Sequence, residues 1–227
     1  VLTYSHYNVV SFDKLDYCAT LNNTRVLDDR PNFVFEHGDI TSPADVKRVL
    51  RKHKIDTIFH FAAQSHVDLS FGNSYQFTNT NVYGTHVLLE RARQHGVNRF
   101  IHISTDEVYG DVPVGAADLS EASILAPTNP YSASKAAAEM MVSAYRSSFK
   151  LPLITVRANN VYGPHQFPES VWALILLTSM LTIRRDNTQV HHAAASTTEA
   201  SPARRWLTNS SLFVRRGYRR RVRHDLA

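Results

Sequence analysis

Two short clusters carry residue types that can do chemistry: Ser104-Thr105-Asp106-Glu107-Val108-Tyr109-Gly110 and Tyr131-Ser132-Ala133-Ser134-Lys135. In the second, a phenol and an ammonium stand four residues apart, on one face of a helix. A lysine so placed is expected to lower the pKa of the tyrosine, making the phenolate usable as a base near neutral pH. The first cluster follows the apolar run Phe100 to Ser104, so the carboxyl end of a strand delivers a hydroxyl and two carboxylates. Open α/β sheets keep their ligands at that edge. Together the clusters suit a reaction that needs an alcohol-oxidising base and a separate acid/base pair.

The elements that must position these residues follow from the hydrophobic pattern. Asn8 to Phe12, Phe33 to Phe35, Thr57 to Phe61, Phe100 to Ser104 and Leu153 to Val156 read as buried strands. Ser42-Pro43-Ala44-Asp45 is a helix start, with Ser42 as N-cap and Pro43 at the first helical position, and that helix runs to about His53. A long helix is expected from about Asn73 to Gln94, ended near Gly96, and another from Tyr131 to Phe149. On the latter, Ala136, Met140, Met141 and Ala144 are expected to form one packed stripe. Strands alternating with helices of this length predict an α/β fold, a doubly wound parallel sheet covered on both faces.

The chain has 227 residues, room for one sizeable domain or one domain and an appendage, and its 43% hydrophobic and 20% charged residues are ordinary for a globular protein. The net charge of +5 is unevenly placed. Residues 1–170 hold 15 Lys and Arg against 17 Asp and Glu, whereas residues 171–227 hold 10 Arg and 3 acids. The single cysteine, Cys18, excludes an intramolecular disulfide framework, reads as a buried thiol and fits a reducing, cytoplasmic compartment. The first twenty residues have no signal-like apolar region, and the apolar stretch Val171 to Ile183 is too short to span a bilayer, so no membrane partner is expected. The histidines show no metal-ligand spacing, so no metal is expected, and His191-His192 reads as an accident of the tail.

The fold normally opens with a strand and a glycine-rich phosphate turn, yet no G-x-G-x-x-G or G-x-x-G-x-x-G occurs in the sequence. Asp13 follows a strand, as does the acid that holds a dinucleotide's ribose about 20 residues past those glycines. Only seven residues precede Asn8, which places the turn before residue 1 and predicts an incomplete sheet, lacking its first strand. In strand order 3-2-1-4-5-6 that strand is central, so a gap is expected rather than a trimmed edge.

Seven segments, in order, resemble the nucleoside-diphosphate-glucose 4,6-dehydratases of the extended short-chain dehydrogenase/reductase superfamily. They are Asp13 to Tyr17, Gly38-Asp39-Ile40, His60 to Asp68, Thr80 to Thr85, Ser104 to Gly110, Asn129 to Lys135 and Asn159-Asn160-Val161-Tyr162-Gly163-Pro164. The resemblance covers about residues 8–169 and is nearest to the dTDP-glucose or UDP-glucose enzymes of rhamnose-type pathways. It implies a Rossmann-like domain binding NAD, a nucleotide-sugar substrate and a homodimer. Asp13 would accept the adenosine ribose hydroxyls, and Asp39 and Ile40 would flank the adenine. Ala62, Ala63 and Ser65 would line the cofactor, Thr80 would lie near the phosphates, and Tyr131 and Lys135 would reach the nicotinamide ribose or the reacting hydroxyl. Asn159 and Asn160 would bind substrate.

The implied reaction begins with Tyr131, assisted by Lys135 and Thr105, removing the C4 hydroxyl proton as hydride leaves C4. Glu107 then takes the C5 proton and Asp106 protonates the departing C6 hydroxyl; hydride returns to C6. Adjacent carboxylates suit this division if their environments separate their pKa values. The acid pair also separates this reading from the epimerase and decarboxylase siblings: the former typically lack it, and the latter usually carry serine at the position of Asp106.

The family pattern ends near Glu169, where Ser170 stands at a lysine position. Residues 1–169 are therefore expected to be a partial nucleotide-binding domain, and 170–227 an Arg-rich, poorly ordered tail arising from a shifted frame or a mis-joined exon. Loss of the phosphate-binding helix start predicts little or no activity. A non-catalytic reading has Arg204-Arg205, Arg215-Arg216 and Arg219-Arg220-Arg221 binding polyanions, but no nucleic-acid module is recognised and nucleic acid is not the expected partner.

Overall fold

A computed structural model of the chain describes residues 1–113, 115–161, 167 and 211–216. Five strands run parallel to at least one neighbour: β1 (Tyr7–Asp13), β2 (Phe33–His37), β3 (Thr57–His60), β4 (Arg99–Thr105) and β5 (Leu153–Ala158). Between β2 and β3 lies α1 (Pro43–His53). Ser42 caps it by accepting from the Asp45 amide at 3.3 Å, and Lys54 closes it at φ 50°. After β3 come α2 (Val67–Gly72), α3 (Ser74–Phe77), a π-helical turn at Thr78–Gly84 and α4 (Thr85–His95), which Gly96 ends at φ 76°. The regular helix expected from Asn73 to Gln94 is thus divided by a wider turn. Asn81 and Thr85 are both buried there, and both hydrogen-bond inward.

The helix α5 (Pro130–Phe149) starts in a reciprocal capping box between Asn129 and Ser132. Its buried stripe is Tyr131, Lys135, Ala138, Val142 and Tyr145, spaced four, three, four and three. This corrects the expected stripe. Ala136 is buried and Met141 packs on the core, but Met140 is 56% exposed and Ala144 is also exposed. Pointing Tyr131 and Lys135 at the sheet rotates Met140 and Ala144 outward.

The sheet order is β2-β1-β6-β3-β4-β5. The sixth strand, β6 (Ser211–Arg216), comes from the Arg-rich tail and fills the central slot that the sequence leaves open. It runs antiparallel to both neighbours, with Phe213 opposite Val10 and Ile58. The expected gap is therefore closed by residues 211–216 of the tail. Unpaired backbone groups along β1 and β3 would each cost about 1–3 kcal/mol if left buried, and β6 satisfies both edges. Phe213 is fully buried and stacks on Phe12 with ring centroids 5.4 Å apart.

The core lies on one face of the sheet, where Phe12, Ile58, Phe100 and Phe213 meet Val46 and Leu50 of α1, Leu88 and Leu89 of α4, and Val142 of α5. On the opposite face Ile154 and Val156 are 50% and 40% exposed. Among the described residues no helix is long and apolar enough to cross a membrane. Tyr162 to Pro164, the apolar stretch 171–183, His191-His192 and the arginines at 204–205 and 219–221 lie outside the described residues.

Candidate active site

The two chemical clusters meet at the carboxyl end of β4. Thr105 is the last residue of that strand and the N-cap of a 3₁₀ turn at Asp106–Tyr109, its hydroxyl accepting from the Glu107 amide at 3.2 Å and donating to Asp106 Oδ1 at 3.3 Å. Gly110 ends the turn at φ 77°, and a side chain there would collide with the Ala126 carbonyl. The Thr105 hydroxyl also lies beside the Tyr131 phenol and favours its ionised form. Thr105, Asp106, Glu107 and Tyr131 are therefore brought together at the end of β4.

The electrostatics depart from expectation. Burial and the nearby Glu107 carboxylate push the Tyr131 phenol up to about 12, with Asp106 adding to the rise and Thr105 opposing it. Lys135 does not offset this rise. Its amine donates to the Ile103 carbonyl at 2.7 Å, and burial pulls it down to about 8, against the pull of Glu139. Burial and two half-buried carboxylates disfavour the phenolate, and the turned-away ammonium does not offset them.

Three side chains that sequence reading missed hold this arrangement. Arg157, on β5, donates to both carboxylate oxygens of Glu139 at 2.8–3.1 Å, to the Tyr109 hydroxyl at 2.6 Å and to the Glu121 carbonyl at 3.1 Å. Its guanidinium also lies 4.8 Å from the Tyr109 ring centroid. It thus ties the acid turn, through Tyr109, to the helix of Tyr131 and Lys135, through Glu139. Asn129 donates to Glu107 Oε2 at 3.4 Å while capping α5. Asn81, in the π turn, grips the Gln64 backbone at 2.7 and 2.9 Å and donates to Ser134 Oγ at 2.8 Å. A capping asparagine before proline was a readable signal; the other two partnerships span distant elements.

A separate cleft opens at the carboxyl ends of β1, β2 and β3. Asp13, Asp39, Ile40, Ala62, Ala63 and Thr80 line it together with Phe12, Lys14, Asp16, Gly38 and Gln64. Asp13 is buried and accepts from the Leu15 amide, and Asp39 accepts from the Thr41 amide at 2.8 Å. At Gly38 a side chain would press on the Phe12 ring, so the cleft floor needs glycine. Small and apolar walls with a buried carboxylate at a strand end fit a planar base and a ribose diol, the adenosine end of NAD. Ser65 is exposed and is not among the lining residues. Asn159 and Asn160 are exposed beyond β5, where the Asn160 amide donates to Asn159 Oδ1.

Beneath the site, His60 and His102 lie with ring centroids 5.3 Å apart. His60 bonds Ser211 Oγ at 3.2 Å and Thr85 Oγ1 at 2.8 Å, whereas neither ring nitrogen of His102 has a partner among the described residues. Burial, and then the Lys135 charge, bring His60 down to about 3 and hold His102 well below the usual imidazole value.

Comparison with known proteins supplies context for this geometry. The family model described as GDP-mannose 4,6 dehydratase matches residues 1–203, reaching past the point where the motif pattern ends. A trifunctional UDP-glucose 4,6-dehydratase/UDP-4-keto-6-deoxy-D-glucose 3,5-epimerase/UDP-4-keto-L-rhamnose-reductase of Arabidopsis thaliana is 55% identical over 182 residues, covering 79% of this chain and 27% of the relative. The dTDP-D-glucose 4,6-dehydratase of Homo sapiens is 49% identical over 170 residues, 74% of this chain and 47% of the relative. The chain therefore spans less than half the length of these two relatives. A dTDP-glucose 4,6-dehydratase from Streptomyces venezuelae, solved with NAD and TYD bound, superposes with a TM-score of 0.72 at 39% identity, covering 76% of this chain and 52% of that one. A UDP-glucuronic acid 4-epimerase from Bacillus cereus, solved with UDP-glucuronic acid and NAD, gives 0.68 at 29% identity, covering 76% and 55%.

Proposed function

The chain belongs to the GDP-mannose 4,6 dehydratase family, and from that premise we propose that its site is that of an NAD-dependent dTDP-glucose or UDP-glucose 4,6-dehydratase, a hydro-lyase, with only residual activity in this chain. The observation that carries the reading is one contiguous unit: the Thr105 hydroxyl beside the Tyr131 phenol, with Asp106 and Glu107 on the same turn close enough to act on that phenol. An epimerase needs the hydroxyl and phenol but has no work for the two carboxylates.

In this reading Tyr131 takes the proton of the sugar C4 hydroxyl, with Thr105 holding the phenol in line. When bound, NAD supplies the hydride acceptor and a positive charge that would favour the phenolate. Glu107, steadied by Asn129, removes the proton from C5 once C4 is a ketone. Asp106 gives its proton to the C6 hydroxyl, which leaves as water. Asp13, Asp39, Ile40, Ala62 and Ala63 would hold the adenosine, Thr80 the phosphate side, Tyr131 and Lys135 the nicotinamide ribose, and Asn159 and Asn160 the substrate. Residues 1–169 would act as the nucleotide-binding unit, in a cytoplasmic homodimer.

Prolonged incubation with dTDP-glucose or UDP-glucose and excess NAD, read by mass spectrometry, tests this. A small yield of product lacking one water, lost in Tyr131→Phe and in Glu107→Gln, is expected. A yield no greater than that of Tyr131→Phe, or a C4-inverted sugar that keeps its water, would sink the reading.

A further inference from the structure

The central strand of a doubly wound sheet ordinarily runs parallel to its neighbours and turns, at the carboxyl edge, into the helix whose N-terminus holds a pyrophosphate. Here β6 runs the other way. Its first residue, Ser211, sits opposite Phe12 and His60 at the ligand edge, and its last, Arg216, sits opposite Tyr7 at the far edge. Chain leaving β6 therefore departs about 17 Å from the ligand edge, at about 3.4 Å per residue. Ser211 is fully buried, with its hydroxyl engaged by His60.

Charge acts in the same direction. The cleft that receives the adenosine end is lined by Asp13, Asp16 and Asp39, and Lys14 is ion-paired with Asp16 at 3.0 Å. Burial raises Asp16, but its bonds to Lys14, Tyr17 and Gln64 outweigh that and hold its carboxyl below the usual value, so it stays ionised at neutral pH. A diphosphate laid across this rim meets carboxylates where the fold ordinarily offers backbone amides and a positive helix end.

We propose that this cleft is a nucleoside site: it takes adenosine through its base and ribose diol and gains little from 5′-phosphates, whose side it meets with the Thr80 hydroxyl in place of a helix start, so that adenosine, AMP, ADP and NAD bind with similar strength. The proposal rests on reading the cleft as the cofactor's adenosine end. Asp13 accepts the ribose hydroxyls, Gly38, Ile40, Ala62 and Ala63 surround the base, and β6 withholds the anion-binding helix start. The reversed strand would thus convert a dinucleotide site into a half-site while leaving the catalytic turn assembled.

Equilibrium binding of the four ligands to the full chain, by calorimetry at low and at moderate salt, tests this without recourse to activity. Affinities within about tenfold of one another are expected, with adenosine tightest at low salt and the phosphorylated ligands improving as salt screens the carboxylates. Asp13→Asn should weaken adenosine by about tenfold, the scale of one charge-assisted hydrogen bond. NAD binding more than tenfold tighter than adenosine would overturn the proposal and leave the cofactor reading standing. Binding of none of the four would overturn both.

Discussion

The two halves of the sheet solve the same pairing problem from different distances along the chain. From β3 to β5, each strand pairs in parallel with the next in sequence, and the helices between them pack on the face they cross. Around β1, one neighbour is the next strand in sequence, while the other arrives from the far end of the chain and runs backwards. The turn at Asp106–Tyr109 belongs to the first half and keeps its geometry because its ties, from Thr105, Asn129 and Arg157, are made within residues 99–158. The half around β1 is specified less tightly. Its central slot demands only that two buried edges be hydrogen-bonded and that one aromatic ring cover Phe12, and a reversed strand meets both demands.

The sharpest way to break this contrast is Phe213→Ala. Phe213 is fully buried between Phe12 and Ile58, and truncation should cost about 3–5 kcal/mol, measured by urea unfolding. Hydrogen exchange should then show protection lost first in β1 and β2, with β4 and β5 holding. Equal loss across all the strands would show that the halves are one cooperative unit.

The next largest effect is expected in the other half. Arg157→Ala strands Glu139, whose side chain is 5% exposed, without its partner, and should cost about 2–4 kcal/mol, discounted because Arg157 itself is 19% exposed. Arg157→Lys keeps the charge but loses the fork that grips Glu139 and Tyr109 together, and should cost less. Faster amide exchange confined to residues 106–110 would sharpen the comparison; exchange spreading to β1 would blur it.

Most of the half from β3 to β5 was legible because its signals are local. Ile and Phe in short apolar runs marked β3 and β4, Ser42-Pro43 opened α1 just ahead of β3, Gly96 ended α4, and the four-residue spacing of Tyr131 and Lys135 survived into α5. What escaped depended on partners remote in sequence. Glu139 reads as a surface helix acid until Arg157 arrives from β5. The π turn at 78–84 shifts register without changing composition. The direction of the Lys135 amine follows from the buried Ile103 carbonyl, which spacing does not reveal. For β6, the run Ser211 to Val214 was a readable strand signal, masked by the arginines around it. Its orientation was unreadable, because the slot that recruits it exists only after the sheet has formed.

The smallest effect probes the seam between the halves, where His60 on β3 reaches Ser211 of β6 and His102 lies beside it. Both rings are held neutral by burial, whereas an unfolded chain protonates each as pH falls through 6.5. Proton uptake by the unfolded state favours unfolding, so the stability tied to these rings is complete above pH 6.5 and is lost below it, until His60 itself protonates at about 3. Each ring contributes a slope of about 1.4 kcal/mol per pH unit. Glu36, held at about 2 by Lys52, His53 and Arg48 against its burial, joins the loss only below its ordinary value of 4.5, which leaves the interval above that to the imidazoles. His102→Leu removes one titrating ring and two unpartnered nitrogens together. It should hold stability level or raise it at pH 7, and cut the acid slope between pH 6.5 and 4.5 by one ring's share. An unchanged slope would mean that His102 reaches water in the native fold, and that the seam opens before either half does.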